Sequence, residues 1–473
     1  MSNNQYDVVV IGAGPGGYVS AIRASQLGMK VAIVEKDNRL GGTCLLRGCI
    51  PTKSMLESAE IAEHAKHASE FGISVGEVKI DLAGVLKRKE KVVSQNAGGV
   101  QFLMKKNKVD THYGFGSLDG STANGLRKVK VKGADGETQL HTRFVLLATG
   151  SVPRRIPGIE VDGVSVLTSD EMLELKTMPK HLLVLGAGAV GVEFASVFRS
   201  FGCDVSVVEL ADRLVPVEDE DVSMEFAKIY RKRGIKVYTS TKVAGVEKTS
   251  DGVVARLEPQ EGGKATDVRA SHLLVAVGRA PVTEGLGLER TKVKVERGFV
   301  HVNEFNQTDE PNVYAIGDIL AGKPLLAHAA SAEGILAVEH MAGHNPQPID
   351  YNQVPGCTYS SPEIGSLGLT EAQAREAGYE LKVGKFPFSA VGKAKVINQT
   401  AGFVKIVAEA KYNQILGVHI IGPRATDLIA EAGPLLKLEC TVDELVNTIH
   451  AHPTLSESMH EAAHATLGHA IHM

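Results

Sequence analysis

Two cysteines carry the most specific chemistry in the sequence. Cys44 and Cys49 lie in Gly41-Gly42-Thr43-Cys44-Leu45-Leu46-Arg47-Gly48-Cys49-Ile50-Pro51-Thr52-Lys53, with four residues between them. In an unbroken helix, positions i and i+5 would have Cα atoms ~8.7 Å apart. A disulfide wants at most ~6.8 Å. A bridge therefore requires an irregular turn, and Gly48 supplies the freedom for one. Pro51 suits the first turn of a following helix. That places Cys49 near a positive dipole end, where a thiolate is stabilised. The chemistry such a pair can do is dithiol–disulfide exchange. Two free buried cysteines is the plainer alternative. Zinc would need two more ligands, and no second cysteine pair exists. Cys203, Cys357 and Cys440 read as inert thiols. Five sparse cysteines argue against a secreted disulfide framework.

Two glycine fingerprints supply the other chemistry. The first is Gly12-Ala13-Gly14-Pro15-Gly16-Gly17, followed by Glu35, and the second is Gly186-Ala187-Gly188-Ala189-Val190-Gly191, followed by Glu209. The same 23-residue step separates Gly12 from Glu35 and Gly186 from Glu209. Such glycines allow a tight turn, close approach to a pyrophosphate, and close helix–strand packing. The acid takes ribose hydroxyls. A lone fingerprint is weak, but here each sits between an apolar run and a helical pattern. Two sites imply two dinucleotides, most economically a flavin and a nicotinamide. A carboxylate at Glu209 hydrogen-bonds a free 2′-hydroxyl and repels a 2′-phosphate, which favours NAD over NADP. Arg213 reads as a solvated loop charge.

A dithiol needs a base that works near neutral pH. His452, in His450-Ala451-His452-Pro453-Thr454-Leu455-Ser456-Glu457, is the candidate, with Glu457 five residues on. His450 reads as a supporting residue. His460 and His464 share a helix face and His469 and His472 follow, but no acid or thiol partner is evident. They read as an interface or a solvated tail, and no metal is expected.

The elements that must position these residues repeat. A strand over 6–12, a helix over about 14–27 and a strand over 31–35 form one βαβ unit. Strand 181–186, helix 188–201 and strand 204–209 form another. Each predicts a parallel sheet. Apolar runs over 144–150, 272–278 and 313–318 end at a glycine or Gly-Asp and close the units, so one nucleotide-binding domain is nested in another. Pro-containing links, Ser151-Val152-Pro153 and Arg279-Ala280-Pro281, mark the joins. Strands over 403–409 and 415–421, with helices over 426–438 and 441–449, make up the last segment. The expected division is 1–150, 151–280, 281–349 and 350–473.

A chain of 473 residues suits several domains. The net charge of −4 and the lack of a long basic run give no reason to expect nucleic acid. No run of ~18 apolar residues predicts a membrane helix. Met1 to Asp7 has neither signal-peptide nor transit-peptide character, so the cytoplasm is expected.

Together these motifs resemble the pyridine nucleotide–disulfide oxidoreductases, and the likeness covers essentially the whole chain. The segments that carry it are the two fingerprints, the cysteine segment, Ala148-Thr149-Gly150, Gly278-Arg279-Ala280-Pro281, Gly317-Asp318 and the His450–Glu457 run. The resemblance implies an α/β protein with two nested Rossmann-like domains, binding FAD and NAD, and a C-terminal α+β dimerisation domain. It implies that Gly12, Gly14, Gly17, Glu35 and Asp318 hold FAD, and that Gly186, Gly188, Gly191 and Glu209 hold NAD. Thr43, Thr149, Gly150 and Gly278 join the cofactor contacts. It makes Cys44 the thiol that meets substrate and Cys49 the thiol against the flavin. Lys53 would lie near the flavin and pair with Glu193. His452, oriented by Glu457, would serve the other subunit of a homodimer. The implied reaction oxidises dihydrolipoamide carried on the acyltransferase of a 2-oxo acid dehydrogenase or related complex, with NAD reduced to NADH. The alternatives are an NADPH-dependent reductase of the glutathione type and a flavin redox sensor without turnover. Glutathione-type reductases usually carry basic residues where this chain has Glu209. Leu46-Arg47 departs from the usual Asn-Val; Arg47 adds a cation near the thiols, which either tunes their potential or only faces solvent.

Overall fold

A strand that is apolar on both faces must lie inside a covered sheet, and Val31–Glu35 is buried at all five positions. In the computed structural model, which describes residues 4–121 and 123–473, this strand pairs in parallel with Gln5–Ile11. Gln5–Ile11 pairs in turn with Gly136–Leu147. Asp110–Tyr113 extends one side and Val313–Ala315 the other, again in parallel. The helix Pro15–Gln26 and the helix Ala327–Met341 cover one face, over Val8, Val10, Ile33 and Leu146. Val9, Ile11, Val145 and Leu147 alternate to the other face.

The strand expected over 144–150 spans Gly136–Leu147. Its first half runs antiparallel to Arg127–Gly133 in a meander with Phe115–Ser121. That half is largely exposed, so it lacks the apolar run by which a buried strand is recognised. The two Pro-containing links, Ser151–Pro153 and Arg279–Pro281, pair with each other.

The fold divides into two compact units. The first holds the segment ending at Ser54 with Gly84–Arg154 and Arg279–Tyr351, and the second holds Met55–Ala83, Arg155–Gly278 and Asn352–Met473. Within the second unit, His181–Leu185 lies between Asp204–Val208 and His272–Val275 in a five-stranded parallel sheet. The helix Ala189–Ser200 follows its glycine loop. A separate five-stranded antiparallel sheet runs Gly356–Thr358, Glu363–Gly368, Ile415–Gly422, Phe403–Glu409, Leu381–Pro387. Met459, Ala462 and Ala463 of the helix Glu457–Thr466 pack into its core. The helix expected over 426–438 is broken into Ala425–Leu428, a 3-10 turn Ile429–Glu431 and Ala432–Lys437. Pro434 explains the last piece, because it is tolerated only in the first turn of a helix. No described helix is long and apolar enough to cross a membrane.

Candidate active site

The dithiol sits where one helix stops and another begins. Gly42–Arg47 ends at Gly48, and Cys49–Lys66 opens at the second cysteine. A Cβ at residue 48 would stand 3.0 Å from Thr43 O, so the turn closes tightly. Cys44 and Cys49 are half-buried thiols, not joined by a disulfide, whose side chains hydrogen-bond to each other. That bond, then burial, then the Cys49 charge push the Cys44 thiol far up. Lys53 opposes the shift and Asp318 adds to it. The electrostatics thus bring Cys44, Cys49, Lys53 and Asp318 together. Cys49 and Lys53 stand on the first turns of one helix, with Cys49 at its positive end.

The dithiol segment lies directly on the first glycine loop. Gly41 N–H donates to Ala13 O (2.9 Å). A Cβ at Gly42 would be 2.6 Å from Gly14 Cα. That loop has the shape a dinucleotide needs. A side chain at Gly12 would meet Ala148 O at 2.2 Å, and one at Gly17 would meet Gly12 O at 1.9 Å. Gly14, between them, faces open space. The second loop repeats the pattern: Gly186 is closed by Ala276 O at 2.4 Å, Gly191 by Gly186 O at 2.0 Å, and Gly188 is open. Both loops lead into helices with no acidic residue in the first turn. Their unpaired N–H groups suit a pyrophosphate.

The two acids are held alike. Glu35 accepts from Ala13 N (2.8 Å) and Asp37 N (2.9 Å). Glu209 accepts from Ala187 N (2.6 Å) and Ala211 N (2.8 Å). Burial raises the Glu35 pKa, with the backbone bonds opposing it. Each carboxylate keeps lone pairs for ribose hydroxyls. Both cradles therefore fit dinucleotides.

Asp318 lies at the 3-10 turn Gly317–Ile319, inside a network that sequence reasoning missed. Ser151 Oγ donates to Asp318. Arg279 donates to Ser151 Oγ (2.6 Å) and Ser151 O (2.7 Å), and its Nε lies 3.8 Å from Asp318 Oδ2. Thr43 Oγ1 donates to Ser151 O (3.4 Å). Thr149 Oγ1 donates to Val282 O (2.5 Å) and Gly150 O accepts from Val282 N (2.9 Å). Gly150 and Gly278 have φ of +67° and +98°. A cavity of about 660 Å³ opens beside Cys44, lined by Tyr18, Gln95, Asn96, His328 and Ser331 among others.

In the second unit, His452 Nδ1 lies 2.8 Å from Glu457 Oε1, and Glu457 Oε2 accepts Thr454 N–H (2.9 Å). Burial works against the Glu457 charge, but these bonds outweigh it and hold the carboxyl below its ordinary value. The His452 side chain is 77% exposed. His450 pairs with Glu431 (2.7 Å). Glu193 accepts Tyr359 N–H (2.9 Å); Lys53, its expected partner, belongs to the first unit.

Several surface readings change. Arg47 is ion-paired with Asp37 rather than only facing solvent. Arg213 donates to Pro216 O (3.2 Å) across its own turn. The tail does have an acidic partner: Glu461 binds His472 (2.7 Å). His464 and His469 bond to each other (3.1 Å) and His460 to Val446 O (3.0 Å).

Residues 6–334 match the family model described as pyridine nucleotide-disulphide oxidoreductase, and residues 354–463 match its dimerisation domain. The chain is 48% identical to a dihydrolipoyl dehydrogenase of Bacillus subtilis over 99% of both proteins. It is 44% identical to a dihydrolipoyl dehydrogenase of Rhizobium etli over 97% of both. The solved structure of LpdA from Mycobacterium tuberculosis is similar with a TM-score of 0.89 at 28% identity, covering 97% of this chain and 99% of that one. This chain belongs to the pyridine nucleotide-disulphide oxidoreductases.

Proposed function

We propose that this protein oxidises dihydrolipoamide to lipoamide with reduction of NAD to NADH, using FAD at the first cradle and NAD at the second. The observation that carries the reading is the Cys44–Cys49 pair lying on the loop of the first cradle, beside Lys53 and Asp318. The relatives' shared name supports the substrate. FAD and NAD supply the electron-accepting chemistry when bound.

The protein's own part is thiol exchange and proton handling. The substrate reaches Cys44 through the adjoining cavity, whose volume suits a small ligand. His452 takes a proton from one substrate thiol. The thiolate attacks the Cys44 sulfur of the oxidised pair, the Cys44–Cys49 bond breaks, and Cys49 leaves as a thiolate. The second substrate thiol then displaces Cys44, which takes up a proton. Cys49, at its helix N-terminus, is the sulfur suited to stay charged. Lys53 and Glu193 support the flavin side. Gly12, Gly14, Gly17, Glu35, Thr43, Thr149, Gly150 and Asp318 hold FAD, and Gly186, Gly188, Gly191, Glu209 and Gly278 hold NAD.

The high exposure of His452 within its own chain fits a base supplied to the other subunit of a homodimer. The four segments 1–150, 151–280, 281–349 and 350–473 are the working domains. The substrate arm belongs to a lipoyl-bearing acyltransferase of a 2-oxo acid dehydrogenase or related complex, in the cytoplasm. The test is anaerobic NADH formation from dihydrolipoamide by flavin-replete protein. A zero rate ends the reading. Turnover with NADPH and glutathione disulfide instead would assign the glutathione-type reaction.

A further inference from the structure

A carboxyl group that the thiol chemistry does not use sits behind the Asp318 turn. Glu333, on the helix Ala327–Met341, is 0% exposed. Its Oε2 accepts Gly317 N–H (2.6 Å) and its Oε1 accepts the Tyr351 hydroxyl (2.9 Å). Gly317 has φ +73°, so this N–H belongs to a left-handed turn with its own conformational cost. The turn presents the next residue, Asp318. Lys323 Nζ lies over the Tyr351 ring, 3.8 Å from its centre.

The same helix also sets the first glycine cradle. A Cβ at Gly334, next to Glu333, would stand 2.0 Å from Ser20 Oγ and 2.9 Å from Gly16 O. One at Gly16 would be 2.9 Å from Ile316 Cδ1 and 3.0 Å from Ala330 O. Gly16 and Ser20 lie on the helix Pro15–Gln26, whose N-terminus is the pyrophosphate end of the cradle. One helix therefore touches both ends of the flavin site: Gly334 fixes its distance from the pyrophosphate helix and Glu333 grips the turn that carries Asp318. A buried carboxyl is costly unless its lone pairs are filled, and both oxygens of Glu333 are filled by this turn and by Tyr351.

We propose that Glu333 is a positioning residue for FAD: it holds the Gly317–Asp318 turn at a fixed height against the pyrophosphate helix, and Tyr351 holds Glu333. This rests on the assignment of FAD to the first cradle and adds to it two residues that need not touch the cofactor. Their effect is on how long flavin stays and how its ring is seated, not on thiol exchange.

The experiment measures FAD release from purified holoprotein in mild denaturant, by the rise of free-flavin fluorescence with no thiol or nicotinamide present. The visible flavin spectrum is recorded alongside. Glu333→Ala is expected to release FAD at least about tenfold faster, because the buried Gly317 N–H is left without its acceptor, with a changed visible band. Glu333→Gln keeps an acceptor for Gly317 N–H and is expected to restore most of the retention. Tyr351→Phe is expected to speed release several-fold while the FAD-free protein melts as the parent does. Parental release rates and spectra in both Glu333→Ala and Tyr351→Phe would overturn the proposal. If Glu333→Ala does not fold, Tyr351→Phe and Glu333→Gln decide it, and parental behaviour in Tyr351→Phe overturns it. A parent that binds no FAD would sink the site assignment itself. A parent that holds FAD but ignores dihydrolipoamide would sink only the substrate.

Discussion

Glu457 holds His452 from below: one carboxylate oxygen meets Nδ1 at 2.8 Å while the other is pinned by Thr454 N–H at 2.9 Å. A carboxylate fixed at both oxygens holds the ring by Nδ1, which leaves Nε2 to handle the substrate proton. His452→Ala is expected to lower kcat by about 10²–10⁴-fold, the usual worth of a general acid–base, with FAD content unchanged. Glu457→Gln is expected to lose less, because the ring stays but its orientation and charge partner weaken. Anaerobic stopped-flow reduction of the flavin by dihydrolipoamide reads both. A parental rate in His452→Ala would place the base elsewhere.

The two sulfurs should separate by role. Cys49 opens the helix Cys49–Lys66, while Cys44 lines the cavity. Cys44→Ser is expected to show a long-wavelength thiolate–flavin band and no turnover. Cys49→Ser is expected to show no such band under two-electron reduction. Absorbance near the red edge of the flavin spectrum distinguishes them, and the opposite assignment of the band would exchange the roles.

The glycines of each cradle are not equivalent. Gly188 faces open space, whereas a side chain at Gly191 would strike Gly186 O at 2.0 Å. Gly188→Ala is expected to fold normally and keep FAD but to weaken NADH binding by tenfold or more, because the methyl occupies the pyrophosphate approach. Gly191→Ala is expected to destabilise the second unit, since helix and strand must separate. NADH titration and thermal unfolding check the pair. Parental NADH affinity in Gly188→Ala would remove the second cradle from the reaction.

What could be read from the sequence was local. The cysteine segment, Gly48 and both fingerprints lie within a few residues of what they act on, so their spacing carried the geometry. Strand Val31–Glu35 was legible for the same reason, being an unbroken apolar run up to its terminal acid, Glu35. The Asp318 network was not legible. Ser151 stands 167 residues before Asp318, and only the pairing of Ser151–Pro153 with Arg279–Pro281 brings Arg279 to it. Glu333 carries no sequence signal, because the Gly317 turn it holds lies 16 residues away. The partner of Arg47 was hidden too, because Asp37 lies in a loop with no periodic signal. Pattern reveals elements and contiguous motifs; partners drawn from distant elements depend on topology.

Lys405 shows how such distant partners contribute to stability. It is 2% exposed, on the strand Phe403–Glu409, and meets Asp219 (2.9 Å), Asp221 (2.8 Å) and Glu371 (2.8 Å). Burial works against charge on Asp219 and Asp221, but bonds from Lys405 outweigh it. For Glu371 the Lys405 bond leads. All three carboxyls are held below their ordinary values. Burial also works against the ammonium, yet the carboxylates raise its pKa. Groups with depressed folded values stabilise the protein above the ordinary carboxylate range, about pH 4, and lose that contribution as pH falls through the folded values. The raised lysine contributes below its ordinary value, about 10.4, and loses this as pH rises through the folded one. Lys405→Met leaves the buried Asp219 without its cation, while Asp221 keeps Lys385 and Glu371 keeps Arg375, and is expected to destabilise by about 3–5 kcal/mol at pH 7. The parent and variant unfolding midpoints are expected to converge as pH drops below about 4, where the carboxylates no longer need the cation. Denaturant unfolding of the FAD-loaded proteins across pH measures this, and an undiminished gap in acid would show that Lys405 acts through packing alone.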